Sequence, residues 1–280
     1  MIDVHTHILP GVDDGCDTLA AAVALARVEV EAGVTDVVAT PHYNAVYPRL
    51  SPAHVRDRVA RLCQALERAG VPLRVWPGHE VALDADLDEA LARQELATLN
   101  GGRYLLLELP GSGVPVTLPV ILARVRQRGI IPVIAHAERE RAIQRAPELL
   151  VPLVESGALV QITASSLLGA FGERAQRASA LLLRHDLAHV LASDAHALSV
   201  RPPRWAESLV AAERLVGARR VRELVETVPR ALLDDQPIVT RSPVPFTARE
   251  LASAAASAQR GGLPRWWARS FAVSRRTPAR

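Results

Sequence analysis

The chain has 280 residues, 49% of them hydrophobic and 22% charged, with a formal net charge of +3. That content can bury a large core in one domain, and no uncharged apolar run is long enough to span a bilayer. The cysteines, Cys16 and Cys63, form no Cys-x-x-Cys pair and give no disulfide framework.

The first residues read as a strand rather than as a basic and then apolar leader, so a cytoplasmic protein is expected. The charge is uneven: all 33 basic residues are arginine, and residues 241–280 carry eight of them against one acid, Glu250. The tail is therefore near +7 and the first 240 residues near −4. The basic excess belongs to the tail, and nucleic-acid binding is not expected of the body.

Met1–His7 opens as a strand ending in His5-x-His7, and residues two apart on a strand share a face. A unit of amphipathic helix, glycine and strand then recurs. Residues 17–32 read as a helix with Asp17 as N-cap and Gly33 as its stop, followed by a strand over 35–39. Ser51-Pro52 opens the next helix as N-cap and first turn, running to Gly70 with 73–75 extended. Helices over 116–128 and 147–156 stop at Gly129 and Gly157, before strands over 130–135 and 158–163. A helix over 174–184 precedes a strand over 189–192, and 203–234 reads as helical. The strands are short and continuously apolar, as buried parallel strands are. Alternating units of this number predict an α/β barrel or a doubly wound sheet. In either, active sites lie at the carboxyl ends of the strands.

The strand ends carry metal-type ligands. They are His5, His7, His42, His136 and His196, with Asp14, Glu80, Glu108 and Asp194. A charge such as Glu108 at the end of an apolar strand needs a partner. Mixed imidazole and carboxylate donors suit Mn, Fe, Zn or Co, and the lack of cysteine ligands argues against a structural zinc site. A carboxylate bridging two ions lowers the pKa of a shared water and holds both oxygens of an in-line displacement, which is what phosphate ester hydrolysis uses.

The motifs His5-x-His7, Ile8-Leu9-Pro10-Gly11-Val12-Asp13-Asp14-Gly15, Thr40-Pro41-His42, Gly78-His79-Glu80, Leu107-Glu108-Leu109-Pro110, His136-Ala137-Glu138-Arg139 and Ser193-Asp194-Ala195-His196 resemble the PHP (polymerase and histidinol phosphatase) superfamily. Within it they resemble the manganese-dependent tyrosine-protein phosphatases of capsule and exopolysaccharide synthesis. Ser166-Leu167-Leu168-Gly169 and Phe171-Gly172 add to the likeness, which covers about residues 1–205.

The resemblance implies a distorted (βα)7 TIM-like barrel of the PHP fold with three metal ions, Mn2+ first and Fe, Zn or Co as alternatives. It implies one ion on His5, His7, Glu80 and Asp194, with Glu80 bridging to a second on Glu108 and His136. The third would lie on Asp14, His42 and His196. Arg139 and Arg201 would grip the substrate phosphate, since guanidinium forks fit phosphate oxygens; Arg204 could replace Arg201. The implied substrate is phosphotyrosine on a protein, such as a membrane tyrosine kinase governing exopolysaccharide. The alternative is histidinol phosphate or another PHP phosphoesterase substrate. His79 stands where the family often has Gln, as a supporting group or an extra ligand. Asp13 reads as the turn residue beside Asp14.

Several rival chemistries fail on residues. A cysteine phosphatase needs Cys-x5-Arg, and Cys16 has Ala22 in that place while Cys63 has Arg68 one position early. Gly-x-Ser-x-Gly is absent. The lysine needed by a P-loop does not occur in the chain; the serious rival is an amidohydrolase-type His-x-His barrel, where a carboxylate such as Glu80 would have to take the place of the carboxylated lysine that often bridges two metals. The expected organisation is a barrel over 1–240 and an Arg-rich, disordered tail over 241–280. The sharper reading of that tail is a weak contact with an anionic surface through Trp266-Trp267.

Overall fold

Nine parallel strands alternate with helices in a computed structural model that describes residues 1–83, 87–111 and 113–258. In order these are β1 (Ile2–Thr6), α1 (Leu19–Glu31), β2 (Asp36–Ala39), β3 (His42–Tyr43), α2 (Pro52–Arg68), β4 (Arg74–Pro77) and β5 (Glu80–Ala82). Then come α3 (Leu87–Ala92), β6 (Tyr104–Glu108), α4 (Leu118–Gln127), β7 (Ile131–Ile134), α5 (Arg141–Arg145), α6 (Val151–Glu155) and β8 (Leu159–Thr163). The chain continues through α7 (Glu173–Arg184), β9 (Val190–Ala192), α8 (Trp205–Arg222), α9 (Val228–Leu233) and α10 (Ala248–Ala258).

The strands pair in the orders β1-β2-β4 and β3-β5-β6-β7-β8-β9. Only Thr40-Pro41 separates β2 from β3, and only Gly78-His79 separates β4 from β5. Proline has no N–H to give a ladder, yet the Pro41 carbonyl still accepts from Glu80 N–H at 3.1 Å and carries the pairing across the break. At the other edge, Thr6 and Ala195 form a parallel bridge. His7 N–H donates to Ala195 O at 2.8 Å and Asp194 N–H to His5 O at 2.9 Å, so the first strand meets the segment after the last.

Alternation along each strand divides the core. Leu105 and Leu107 of β6 face the larger apolar cluster beneath the helices, while Tyr104 and Leu106 join an inner cluster with Val38, Val133, Leu159 and Val190. The register of β1 slips by one residue between Asp3 and Thr6. Val4 joins the inner cluster, and the next side chain, His5, also reaches inward to Gln161 of β8. Bulges beside active sites re-aim side chains in this way.

Several expectations shift locally. Thr18, not Asp17, caps α1, its side chain accepting from Ala21 N–H at 3.2 Å. The helix expected over 147–156 is a 3-10 turn, Pro147–Leu150, followed by α6, because Pro152 cannot continue an α-helical ladder. The 203–234 helix bends at Gly217 and contains a π turn at Glu223–Thr227.

The expectation of a disordered tail is corrected for its first part. Arg241 pairs with Glu223 at 2.8 Å, Phe246 stacks on His185 with ring centres 4.0 Å apart, and α10 buries Ala254 against the body. Apolar Ala-rich spacing with Glu250 in the first turn is enough for a helix once it has a surface to pack on. The Trp266-Trp267 reading lies outside the described residues. No helix among the described residues is long and apolar enough to cross a membrane.

Candidate metal centre

The carboxyl ends of the strands bring together all the candidate ligands read from the sequence. His5 is the next-to-last residue of β1 with His7 just beyond the strand, His42 and Glu80 lie just past the ends of β2 and β4 as the first residues of β3 and β5, and Glu108 ends β6. His136 follows β7, and Asp194 and His196 follow β9. Among the described residues, four groups have donor atoms within 4.8 Å of one another: His7, Asp14, His42 and His196; His5, His7 and Glu80; His5, His136 and Asp194; and His42, Glu80 and Glu108. Together they contain the nine residues singled out above.

Glu80 is the hub. Its Oε2 lies 3.4 Å from His5 Nε2, 3.2 Å from His7 Nε2 and 3.0 Å from His42 Nδ1, while its Oε1 lies 2.6 Å from His136 Nε2. Asp194 Oδ1 is 3.4 Å from His5 Nε2 and 3.5 Å from His7 Nε2. Asp14 Oδ1 sits 3.4 Å from both His42 Nε2 and His196 Nε2. His5, His7, Glu80, His136, Asp194 and His196 are buried; the side chains of Asp14 and Glu108, 47% and 31% exposed, mark the mouth.

The tautomers argue for a cation. His5 Nδ1 faces Gln161 Oε1 at 3.1 Å, His7 Nδ1 faces Asp13 Oδ2 at 2.8 Å, and His196 Nδ1 faces Asp194 O at 3.1 Å. Each partner is an acceptor, so Nδ1 carries the hydrogen and the Nε2 lone pair points into the cluster. With both rings neutral, as metal ligation requires, His5 Nε2 and His7 Nε2 meet lone pair to lone pair at 3.3 Å. His42 Nδ1 is buried beside Glu80 without hydrogen-bond geometry. Nitrogens and carboxylate oxygens aimed at common points are what divalent ions bind.

The protein's own charges say the same. Burial and the Glu80 charge push Glu108 up to about 7. Burial and then Arg139 push His136 down to about 4. Burial works against the Glu80 and Asp194 anions too, but His5 and His42 hold Glu80 well below the usual carboxylate range, and Arg201 and Arg139 do so for Asp194. Both arginines reach Asp194 Oδ2, at 2.8 Å from Arg139 and 2.6 Å from Arg201. Arg204 instead lies outside, paired with Glu207 at 3.0 Å.

The local backbone is built for this. His136 and Asp194 have φ of 31° and 51°, left-handed conformations that cost about 1–3 kcal/mol each and gather at functional sites. Gln161 Oε1 accepts the His136 N–H at 2.9 Å and holds that turn. A Cβ at Gly15 would lie 2.0 Å from His7 O, so the Asp-Asp-Gly turn can press against His7 only with glycine there.

Three supporting residues were missed. Asp13 is more than a turn residue: besides His7 it accepts from Gly15 N–H at 2.9 Å and His42 N–H at 3.1 Å. The adjacent acids Asp13-Asp14 were its signal. Gln161 was visible as a polar residue inside Leu159-Val160-Gln161-Ile162. Asp3 accepts from Ser193 N–H at 3.1 Å and ties β1 to the segment after β9 that carries Asp194. His79 belongs to none of the donor groups; its Nδ1 accepts from Ala97 N–H at 2.9 Å, and burial lowers it to about 4. His54, His185 and His189 also stand apart, bonded to Ser51, Val244 and Val160.

A sequence profile described as "Capsular polysaccharide synthesis, CpsB/CapC" matches residues 1–234. The tyrosine-protein phosphatase YwqE of Bacillus subtilis (strain 168) is 38% identical over 251 residues, 90% of this chain and 98% of that protein. The tyrosine-protein phosphatase CpsB of Streptococcus pneumoniae is 29% identical over 241 residues, 84% of this chain and 99% of that one. Crystal structures of YwqE and CpsB are described as those of unique metal-dependent tyrosine phosphatases. One chain among them superposes with a TM-score of 0.83 at 38% identity, covering 88% of this chain and 100% of its own. The capsule branch of the resemblance is therefore borne out: the chain belongs to the CpsB/CapC family.

Proposed function

We propose that this protein is a metal-dependent protein-tyrosine phosphatase that hydrolyses phosphotyrosine on a protein governing capsule or exopolysaccharide synthesis. The observation that carries the reading is the set of imidazole Nε2 lone pairs and carboxylate oxygens converging beside two arginines. The curated relatives' names point the same way. The Thr6–Ala195 bridge and the Pro41–Glu80 link support a sheet that closes as a distorted (βα)7 barrel over about residues 1–240.

His5, His7, Glu80 and Asp194 would hold one ion, Glu80, Glu108 and His136 a second, and Asp14, His42 and His196 a third. Mn2+ is our first choice, with Fe, Zn or Co as alternatives. Bound there, the ions would supply Lewis acidity and an activated water. The chain supplies the rest. Asp13 and Gln161 fix the tautomers of His7 and His5. Arg139 and Arg201 sit at the rim with side chains 18% and 20% exposed, ready to exchange Asp194 Oδ2 for the non-bridging oxygens of a phosphate. A tyrosine phenolate leaves readily because its conjugate acid has a pKa of about 10, so no phosphorylated enzyme is needed. The substrate protein we favour is a tyrosine kinase, in the cytoplasm, where the free thiols Cys16 and Cys63 are at home.

The test is a substrate panel with metal-reconstituted protein: phosphotyrosine peptide, phosphoserine peptide, histidinol phosphate and single-stranded DNA. Phosphotyrosine should be turned over best, and chelation should abolish it. Preference for histidinol phosphate would install the alternative, and activity surviving chelation would sink metal dependence.

A further inference from the structure

Phe171 has no role in the reading above, yet both rim arginines lie over its ring. The guanidinium carbon of Arg139 is 4.7 Å from the ring centre and that of Arg201 5.4 Å. The same two cations converge on one acceptor, Asp194 Oδ2. Like charges brought that close repel each other. Asp194 is also one of the proposed metal ligands, with its Oδ1 facing His5 and His7. Arg139 also feels the charges of Glu138, Glu80 and Glu108, but Glu80 and Glu108, like Asp194, are proposed metal ligands. Arg139 Nε is buried without a hydrogen-bond partner, so its fork is held from one end only. The negative face of an aromatic ring is a further attraction that acts on both cations at once.

The ring is itself held. Ala170 N–H donates to Ser165 O at 3.2 Å, Gly172 N–H to Gly169 O at 2.9 Å, and the Gln176 side-chain amide to Leu167 O at 2.9 Å. Gly169 and Gly172, at φ of 79° and 88°, flank Phe171 in conformations that side-chain-bearing residues rarely adopt. The result is a short, cross-braced turn between β8 and α7 that presents one aromatic ring to two arginines.

We infer that Phe171 is a positioning residue: its ring keeps Arg139 and Arg201 together as a pair able to take the non-bridging oxygens of a phosphate monoester when Asp194 is committed elsewhere. The inference rests on the phosphatase reading and adds to it the device that sets affinity for the phosphate group.

The test uses the metal-loaded full chain with Phe171 replaced by mono-, di- and trifluorophenylalanine. These keep the ring's shape and make its face progressively less negative. KM for a phosphotyrosine peptide and the inhibition constant of inorganic phosphate should rise together along the series, reaching roughly tenfold at the trifluoro ring. Bound metal and thermal midpoint should stay put. Phe171→Leu should lose at least as much, and Phe171→Tyr should stay near the native protein. Flat constants across the fluorinated series would overturn the inference. If the native holoenzyme leaves the peptide intact, the phosphatase reading fails instead, and phosphate affinity measured by calorimetry over the same series still decides the role of Phe171.

Discussion

The two ends of the parallel strands treat charge in opposite ways. At the amino end, the buried Asp36 carboxylate of β2 accepts five hydrogen bonds. Two come from Arg74 at 2.7 Å, and one each from Arg230 at 2.9 Å, Trp76 Nε1 at 3.0 Å and the Thr35 hydroxyl at 2.8 Å. Nearby, Arg103 grips Asp235 through its backbone and its guanidinium, at 2.7 and 3.0 Å. Every lone pair there has a donor at good geometry. At the carboxyl end, imidazole nitrogens face one another and carboxylates crowd together, with His42 Nδ1 and His136 Nδ1 buried and unpartnered. Around Asp36 and Asp235 the hydrogen bonding is finished within the chain. The carboxyl end is arranged around something the chain does not itself supply. The difference separates groups kept for stability from groups kept for chemistry.

The separation breaks if substitutions at the two ends act alike. Glu80→Ala should take activity to background and strip bound metal, measured by turnover and elemental analysis. The loss also removes the anion that His5, His42 and His136 face, so some stability goes with it, and turnover and metal are read per folded molecule. A variant that keeps its metal would show that Glu80 is not the hub its contacts suggest. Asp36→Ala is the mirror experiment. Breaking a buried pair can cost about 3–5 kcal/mol when a charge is stranded inside. Here the Arg74 and Arg230 side chains are 62% and 40% exposed and can turn to water. The expected loss is nearer to about 2–3 kcal/mol by denaturant midpoint, with turnover per folded molecule unchanged.

Asp13→Asn sharpens the comparison within the site. The amide keeps the shape but weakens the acceptor on His7 Nδ1. Burial resists a charged His7 and Asp13 favours it, the balance lifting that imidazole to about 9. Partners one step behind a metal ligand typically contribute 10–100-fold, so a loss of about that size in metal affinity is expected, read by titration into stripped protein. An unchanged affinity would return Asp13 to the turn.

How much of this the sequence carried follows from how local each cause is. The strand-end ligands were legible because a charge or imidazole closing an apolar strand, as in Leu105-Leu106-Leu107-Glu108, stands out against its neighbours. Glycine stops and the Ser51-Pro52 cap are equally local. Gln161 was passed over because its partner His5 lies 156 residues away and leaves no periodic trace. Asp13 and Asp14 are indistinguishable by type, and only the fold decides which side chain turns to His7 and which to His42 and His196. The first part of the tail was misread because α10 is a weak helix alone and gains its order from the body it packs on. The grouping of Arg139 and Arg201 over Phe171 is likewise a property of three separate turns.

The smallest expected effect is on pH, and it tests the amino end alone. Burial works against the Asp36 anion, but hydrogen bonds from Arg74, Trp76 and Thr35 and the charge of Arg230 hold its carboxyl well below the ordinary value. For a carboxyl lowered in the folded state, the stabilisation is fully present above the unfolded-state pKa of about 3.9 and drains away as pH falls through the folded-state value. The native protein should therefore be more stable than Asp36→Asn at pH 6, and the gap should narrow steadily below about pH 4. With Arg74 and Arg230 largely in water, the part that drains is about 1–2 kcal/mol after screening. Denaturant midpoints of both proteins, taken from pH 6 down to pH 2.5, would show it. A gap that stays constant would mean that Asp36 stabilises through its shape and hydrogen bonds alone, and that the charge at this end matters no more than an amide would.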